Sequence, residues 1–403
     1  MASMDTWIVD IPETNNRKSI NYSPKIVNKS LTSKYLKVDV KFEHFVQKVI
    51  ENKYYGIIKE PIELVEVSSS CGKLRGDRLK FAIPYAGKVF TCTALFNSLC
   101  PEIGPDFEFS DKTFLQDPEI QVLEKYVPGF INWDNTDSES LIKVLGQFIT
   151  YYKQHQIDKL GLINERLEAS FTNLREKIDT SDIELILLPD VNNPIEAHII
   201  IRINLNFTKF IDKFTSFNNE VAMLHVVFHG PSWIKGVPQL LLSSKLLDLF
   251  NGTYRIQPLT SIKVLGTYIL DLKRRLNDKM LSIVKNYMEK KEFVTGLLLV
   301  QGKSLIEYDS EDFSFITIML DHEGFHYLVY FKLTDNYPDE APIIKLQSIY
   351  HLYKNEPIVY PVEGLTYSKK CDSFECVTKT LAHIDVRVAE GFKQLCIRLA
   401  RSQ

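Results

Sequence analysis

The feature that most constrains this chain is an order of elements that comes back. Phe42, Phe45, Val46, Val49 and Ile50 recur at spacings of three and four, which predicts one apolar helix face. Strand-like runs follow at Ile62–Val67, Leu79–Pro84 and Lys88–Phe96, with Asp77 and the Ala86-Gly87 pair at turns. A loop with prolines at 101 and 105 then leads into Asp106–Phe109, and Leu141, Ile142, Leu145, Phe148 and Ile149 predict a helix near Glu139–Gln156. Near the other end the order returns. Met280, Ile283, Val284, Tyr287 and Met288 predict a helix stripe, and Phe293–Val300, Phe313–Leu320 and Phe325–Leu333 predict strands. Pro338 and Pro342 punctuate a loop before the strand Ile343–Ser348, and a last helix carries Val377, Leu381, Ile384, Val388, Phe392 and Leu395. Both loops set two prolines four residues apart before a short strand. Proline fixes φ and donates no backbone hydrogen bond, so a strand ladder stops there.

The middle third shows the same order more faintly. Leu167, Phe171, Leu174 and Ile178 predict a helix face, and Ile183–Leu188, His198–Leu205 and Val221–Phe228 predict strands. Pro231 and Pro238 bracket a wider loop before Leu240–Leu242, and a helix is expected over Ser261–Leu272. An unrelated α+β insert stays open as the alternative here. The expected fold class is therefore α+β, with tandem units that each pack an antiparallel meander against helices. A chain of 403 residues exceeds what one core usually organises. The expected divisions are an extension over 1–40, flexible or ordered on a partner, and units over 41–158, 159–275 and 276–403.

Composition excludes several functions. A formal net charge of −3 offers no general attraction to nucleic acid or to an anionic membrane. No apolar run approaches the roughly 20 residues that span a bilayer. The N-terminus lacks the basic start and long apolar run of a secretion signal, so the chain is expected inside the cell, in cytoplasm and nucleus. Six cysteines do not predict a disulfide framework. Cys371 and Cys376 with His383 are spaced C-x4-C-x6-H, outside the common zinc patterns and without a nearby fourth ligand. No nucleotide-binding glycine loop or nucleophile elbow occurs, so no metal or cofactor is expected.

The helix, meander and proline-loop plan resembles the ubiquitin-conjugating fold and its smaller RWD relatives. More specifically, the stretch Arg78-Leu79-Lys80-Phe81-Ala82-Ile83-Pro84-Tyr85-Ala86-Gly87, then Leu95-Phe96-Asn97 and Pro105-Asp106-Phe107-Glu108-Phe109, resembles the brain and reproductive organ-expressed (BRE) family. Leu115, Asp117 and Pro118 continue the likeness, as do Phe293, Val300, Glu307-Tyr308-Asp309 and Leu346-Gln347-Ser348-Ile349-Tyr350-His351. It is strong over 78–118, moderate over 293–351 and weak between 160 and 275. The resemblance implies tandem ubiquitin-conjugating-variant (UEV) or RWD-like domains without chemistry of their own. It also implies a scaffold role beside a JAMM-type zinc deubiquitinase, its inactive MPN-domain scaffold and a von-Willebrand-like adaptor. That BRISC-type assembly, with a nuclear counterpart tied to the DNA damage response, trims non-degradative ubiquitin chains, and the zinc belongs to the catalytic partner. The alternative is a stand-alone ubiquitin-binding receptor.

The residues that conjugating chemistry requires are missing from the expected positions. A conjugating enzyme needs a nucleophilic cysteine soon after an H-P-N turn. The matching place by resemblance is Tyr350-His351-Leu352-Tyr353, where Leu352 and Tyr353 stand at the Pro and Asn positions. Pro361 and Val362 stand where the cysteine is expected, and the segment from Phe109 through Thr150 contains none. His225 and His229, and His322 and His326, sit four apart on expected strands or strand turns, not on a helix as a zinc pair would. The basic runs Lys273-Arg274-Arg275 and Lys290-Lys291 are expected to be solvated. Partner contacts are expected at Trp133, Trp233 and Ile234, because aromatics in Gly/Pro loops often anchor interfaces; packing over their own sheet is the alternative.

Overall fold

The computed structural model describes residues 35, 37–51, 56–189, 195–205, 220–250, 252, 254–261, 264–368 and 372–402. Most of the expected extension over 1–40, and Cys371, lie outside the described residues. The chain divides into two compact units, Met1–Arg274 and Arg275–Gln403. Three antiparallel sheets and their helices give it an α+β architecture.

The first unit begins with helix α1 (Glu43–Glu51) and strands β1 (Glu63–Ser68), β2 (Arg78–Tyr85), β3 (Lys88–Leu95) and β4 (Asp106–Phe109). These strands form one meander in sequence order. Short helices α2 (Ile120–Tyr126) and α3 (Pro128–Ile131) lead to α4 (Ser140–Ile163). Alternation on β2 buries Leu79, Phe81, Ile83 and Tyr85, which share a core with Phe45 and Val49 of α1 and Leu141, Leu145 and Phe148 of α4. The other face is short-chained and polar, with Lys80 of β2 and Thr91 and Thr93 of β3.

Asn164 separates α4 from α5 (Glu165–Arg175). Its extended backbone (φ −163°, ψ 117°) breaks the helix, and its side chain accepts from the backbone N–H groups of Arg166 and Leu167, starting a new one. Strands β5 (Ile183–Pro189), β6 (Ile195–Ile203), β7 (Ala222–His229) and β8 (Gly236–Leu242) form a second meander. Here both registers of the central strands are buried: Ile199 and Ile201 on one face of β6, His198 and Ile200 on the other. Pro238, expected in a loop, sits inside β8 opposite Val226. β8 is the last strand of its sheet, so the missing N–H costs no ladder bond. Helix α6 (Ser244–Leu249) follows, capped by Ser243, whose hydroxyl accepts from the Leu246 N–H.

Helix α7 (Leu265–Gln301) corrects one expectation outright. Phe293–Val300 is its last part and not a strand. Phe293, Val294 and Leu297 are buried while Leu299 and Val300 are exposed, which is helical spacing hidden inside an unbroken apolar run. The helix expected over Ser261–Leu272 begins at Leu265 and joins the predicted Met280–Met288 stripe in this one element.

The second unit's sheet has five strands: β9 (Leu305–Tyr308), β10 (Phe315–His322), β11 (Phe325–Lys332), β12 (Ile343–Tyr353) and β13 (Glu356–Pro361), again in sequence order. Helix α8 (Ser373–His383), a π-helical turn over Ile384–Val388, and helix α9 (Ala389–Arg401) close it. Asp372 caps α8 by accepting from the N–H groups of Phe374 and Glu375. Ile318, Val329, Phe331 and Leu346 meet Phe293, Val377 and Phe392 in one core.

The edge strands share a property. β1 carries a register shift between Leu64 and Glu66, and β4 and β9 are four residues long. β8 contains Pro238, and β13 contains Pro357 and Pro361. On β5 the Leu187 N–H donates to Gln156 Oε1 at 3.0 Å, and Gln156 is fully buried on α4.

Candidate partner-binding surface

Side chains alternate across a strand, so each sheet sends one set into its core and one set outward. On the five-stranded sheet the outward rows follow from the register. Met319, Leu328, Gln347 and Val359 align across β10 to β13, and Thr317, Tyr330, Lys345 and Pro361 form the next row. Phe315, Lys332 and Ile343 align beside them. Met319, Ile343 and Val359 are 39%, 45% and 49% exposed, and Phe315 stacks on Tyr330 with ring centroids 6.1 Å apart. This face is apolar and open, whereas the outward face of the β1–β4 sheet carries threonine and paired charge such as Lys80 with Glu66 at 4.0 Å. Contiguous exposed apolar surface of this kind marks contact with another molecule.

The four-stranded sheet β5–β8 has no such face, because the first meander docks on it. Glu184 on β5 accepts from the Ile57 and Ala86 N–H groups, each at 2.8 Å. Burial pushes its carboxyl above the usual range, and Lys153 and Arg202 only partly offset that. Beside it a histidine pair is enclosed. His198 Nδ1 lies 3.1 Å from His225 Nε2, and His198 Nε2 lies 3.0 Å from Glu196, which also meets His229 at 3.2 Å. Burial, then the neighbouring His198 and Lys88, pulls His225 down to about 4. Both rings are thus neutral near pH 7, and one nitrogen donates to the other.

The residues expected to meet partners are distributed differently. Trp233 is 4% exposed with φ +52°, Ile234 beside it is 47% exposed, and Trp133 is half-buried against Phe45 with centroids 5.1 Å apart. The Trp133 indole N–H is buried without a hydrogen-bond partner. Of the three, only Ile234 is largely exposed; the open face of the five-stranded sheet was not among the residues singled out from the sequence. Its signal in the sequence is weak, because Met319, Leu328 and Tyr330 of the outward rows alternate with Ile318, Tyr327 and Val329 of the core, so both faces of these strands read as apolar.

The stretch Tyr350-His351-Leu352-Tyr353 belongs to β12, with Leu352 opposite Pro357 and Tyr353 opposite Glu356. His351 Nδ1 lies 3.2 Å from the Ser348 hydroxyl, the nearest approach to a nucleophile–base pair in this region. Ser348 is 3% exposed, however, and Cys396 beyond it is fully buried, with burial pushing its thiol up. A substrate cannot reach either. Cys376 is buried in the helical core, and His383 lies 3.2 Å from the Glu363 carbonyl oxygen. Among the described residues, His322, Glu323 and Glu390 bring a ring nitrogen and two carboxylates within 4.8 Å, but Lys393 already meets Glu323 at 3.4 Å. That group is an exposed ion-pair network. No helix among the described residues is long and apolar enough to cross a membrane.

The model of the family described as brain and reproductive organ-expressed protein (BRE) matches residues 36–352. A protein of Branchiostoma floridae named BRISC and BRCA1-A complex member 2 is 27% identical over 304 residues, covering 73% of this chain and 78% of its own. A protein of Danio rerio with the same name is 25% identical over 338 residues, covering 80% of this chain and 86% of its own.

Proposed function

The chain belongs to the BRE family, and from that premise we propose that it is a non-catalytic scaffold subunit of a BRISC-type deubiquitinase assembly. In this reading its sheets are degenerate conjugating-enzyme-like and RWD-like modules that serve as docking surfaces. They bridge a JAMM-type zinc deubiquitinase and its inactive MPN-domain companion to a von-Willebrand-like adaptor, in cytoplasm and nucleus. Ubiquitin chemistry belongs to the partners.

The observation that carries the reading is the family match across most of the chain, joined to an open apolar sheet face on the second unit. The chemistry of the H-P-N-like stretch agrees with it. A turn that positions a thioester must be exposed beside a reactive thiol. Here Leu352 and Tyr353 are paired with β13, and Cys376 and Cys396 of the same unit are buried.

Affinity purification of the tagged full-length chain from its native cells tests the proposal. The expected eluate is a stoichiometric complex that cleaves non-degradative ubiquitin chains and stops on zinc chelation. A lone chain, or a chain that binds ubiquitin without such an enzyme, refutes the scaffold reading in favour of a stand-alone receptor. Thioester formation with a charged activating enzyme refutes both.

A further inference from the structure

The open face of the β9–β13 sheet carries charge that its own unit does not answer. Lys332 stands opposite Ile343 and Lys345 opposite Tyr330, so the two lysines are diagonal neighbours on adjacent strands. Such neighbours lie about 7–8 Å apart, where like charges repel. Among the described residues neither lysine has an ion pair, although both are exposed on a face with Phe315, Tyr330 and Ile343. Two carboxylates border this face: Asp309, whose N–H donates to the Phe315 carbonyl and whose side chain accepts from Ser314, and Glu363, which follows Val362 on the ladder with Ile344. Among the described residues neither makes an ion pair with the lysines. Asp321 is held by His326 at 3.1 Å at the other end of β10, and Glu307 on β9 stands beyond Thr317 and Tyr330 from Lys345. The face therefore offers a mainly apolar row, Met319, Leu328 and Val359 with Gln347 between the last two, and two lysines without an ion pair along one side.

Three kinds of partner surface can be compared on that ground. A purely apolar one would cover the lysine stems but leave two ammonium groups beside a contact of low dielectric. A cationic one would be repelled as the surfaces close. Only an apolar surface with carboxylates on one side satisfies both halves. Strand addition is no route to it, since Pro357 and Pro361 lie on the β13 edge.

We propose that this face docks a protein segment whose apolar side chains are flanked by aspartate or glutamate, the carboxylates meeting Lys332 and Lys345. The inference rests on the scaffold reading in taking that segment to belong to another subunit of the assembly. Polarity of the interaction follows from the rows: the acidic side of the partner lies over the start of β12, and its apolar side over Met319 and Val359.

The probe is a set of three synthetic amphipathic peptides with one apolar stripe, flanked by glutamate, by glutamine or by lysine. Their binding to the full-length chain is read by fluorescence anisotropy. The glutamate peptide is expected to bind at least about tenfold more tightly than the lysine peptide, and to weaken as salt is raised. The double variant Lys332→Glu, Lys345→Glu is expected to reverse that order. Val359→Asp is expected to weaken all three, and Lys285→Glu, exposed on α7, to change none. Circular dichroism melting verifies that each variant is folded. Equal binding of the three peptides, or an order that survives the double reversal, overturns the proposal. A second arm separates it from the function on which it rests. If the folded double variant still purifies with as much deubiquitinase as the wild-type chain, the surface assignment fails and the subunit reading stands. If the wild-type chain brings down none, the subunit reading fails whatever the peptides do.

Discussion

Glu184 gives the sharpest test of how the first unit is held together. Replacing it by alanine removes the acceptor from two N–H groups, those of Ile57 and Ala86, which belong to residues 5% and 0% exposed. Each buried donor left unpaired costs about 1–3 kcal/mol. Relief of the carboxylate's own burial works the other way, so the expected net loss is about 2–4 kcal/mol. Glu184→Gln keeps one carbonyl-type acceptor and turns an NH2 toward the other donor, and is expected to lose about 1–3 kcal/mol. Urea unfolding followed by tryptophan fluorescence reads this unit, because Trp7, Trp133 and Trp233 all fall within Met1–Arg274. The pH dependence adds a second handle. The folded carboxyl titrates above its unfolded value, so wild-type stability falls as pH rises from the unfolded value through the folded one. Both variants lack that slope, and the gap between them and the wild type should narrow from pH 5 to pH 8. A loss under about 0.5 kcal/mol for Glu184→Ala would refute the claim that this residue joins the two layers. A gap that widens with pH would show instead that Lys153 and Arg202 stabilise the charged form.

Two other predictions follow from burial. Phe293→Ala should cost the second unit about 3–5 kcal/mol, whereas Val300→Lys, at an exposed position on the same helix, should change its melting temperature little; equal effects in circular dichroism melting would contradict the helical assignment. His225 is held neutral down to about pH 4, so its own contribution to the first unit's stability should be complete above pH 6.5 and fall as the pH drops from there toward 4, opposite in sign to that of Glu184; His225→Phe should remove that part of the fluorescence-monitored acid titration.

The meander over 62–109 could be read from residues because Leu79, Phe81, Ile83 and Tyr85 alternate with exposed or half-exposed neighbours, and period two is visible only when one face differs from the other. The central strand β6 of the β5–β8 sheet buries residues on both faces, so it carries no alternation and the likeness to the other meanders was faint. Phe293–Val300 failed for a related reason. Its eight residues are nearly all apolar, and only the pairing of Phe293 and Val294 with Leu297 in the fold distinguishes helix from strand. β9 escaped notice because four residues with a half-exposed pattern give no period at all. At the surface, Trp233 is buried with φ +52° while Ile234 beside it is exposed, a difference that no spacing in the sequence announces. The open sheet face, by contrast, depends on the register between strands far apart in sequence.

The treatment of the sheet edges has a consequence for how this molecule meets others. An unguarded edge is a generic template that will extend itself with any passing strand, including one from another copy of the same chain. Here, among the described residues, a register shift, two brief strands, a glutamine accepting from one edge N–H and three prolines interrupt the backbone at the six sheet ends. Association is thereby moved from backbone to side chains. Backbone pairing is nearly indifferent to sequence, whereas a face recognises shape and charge, so the chain can be crowded among other folded proteins and still discriminate among them.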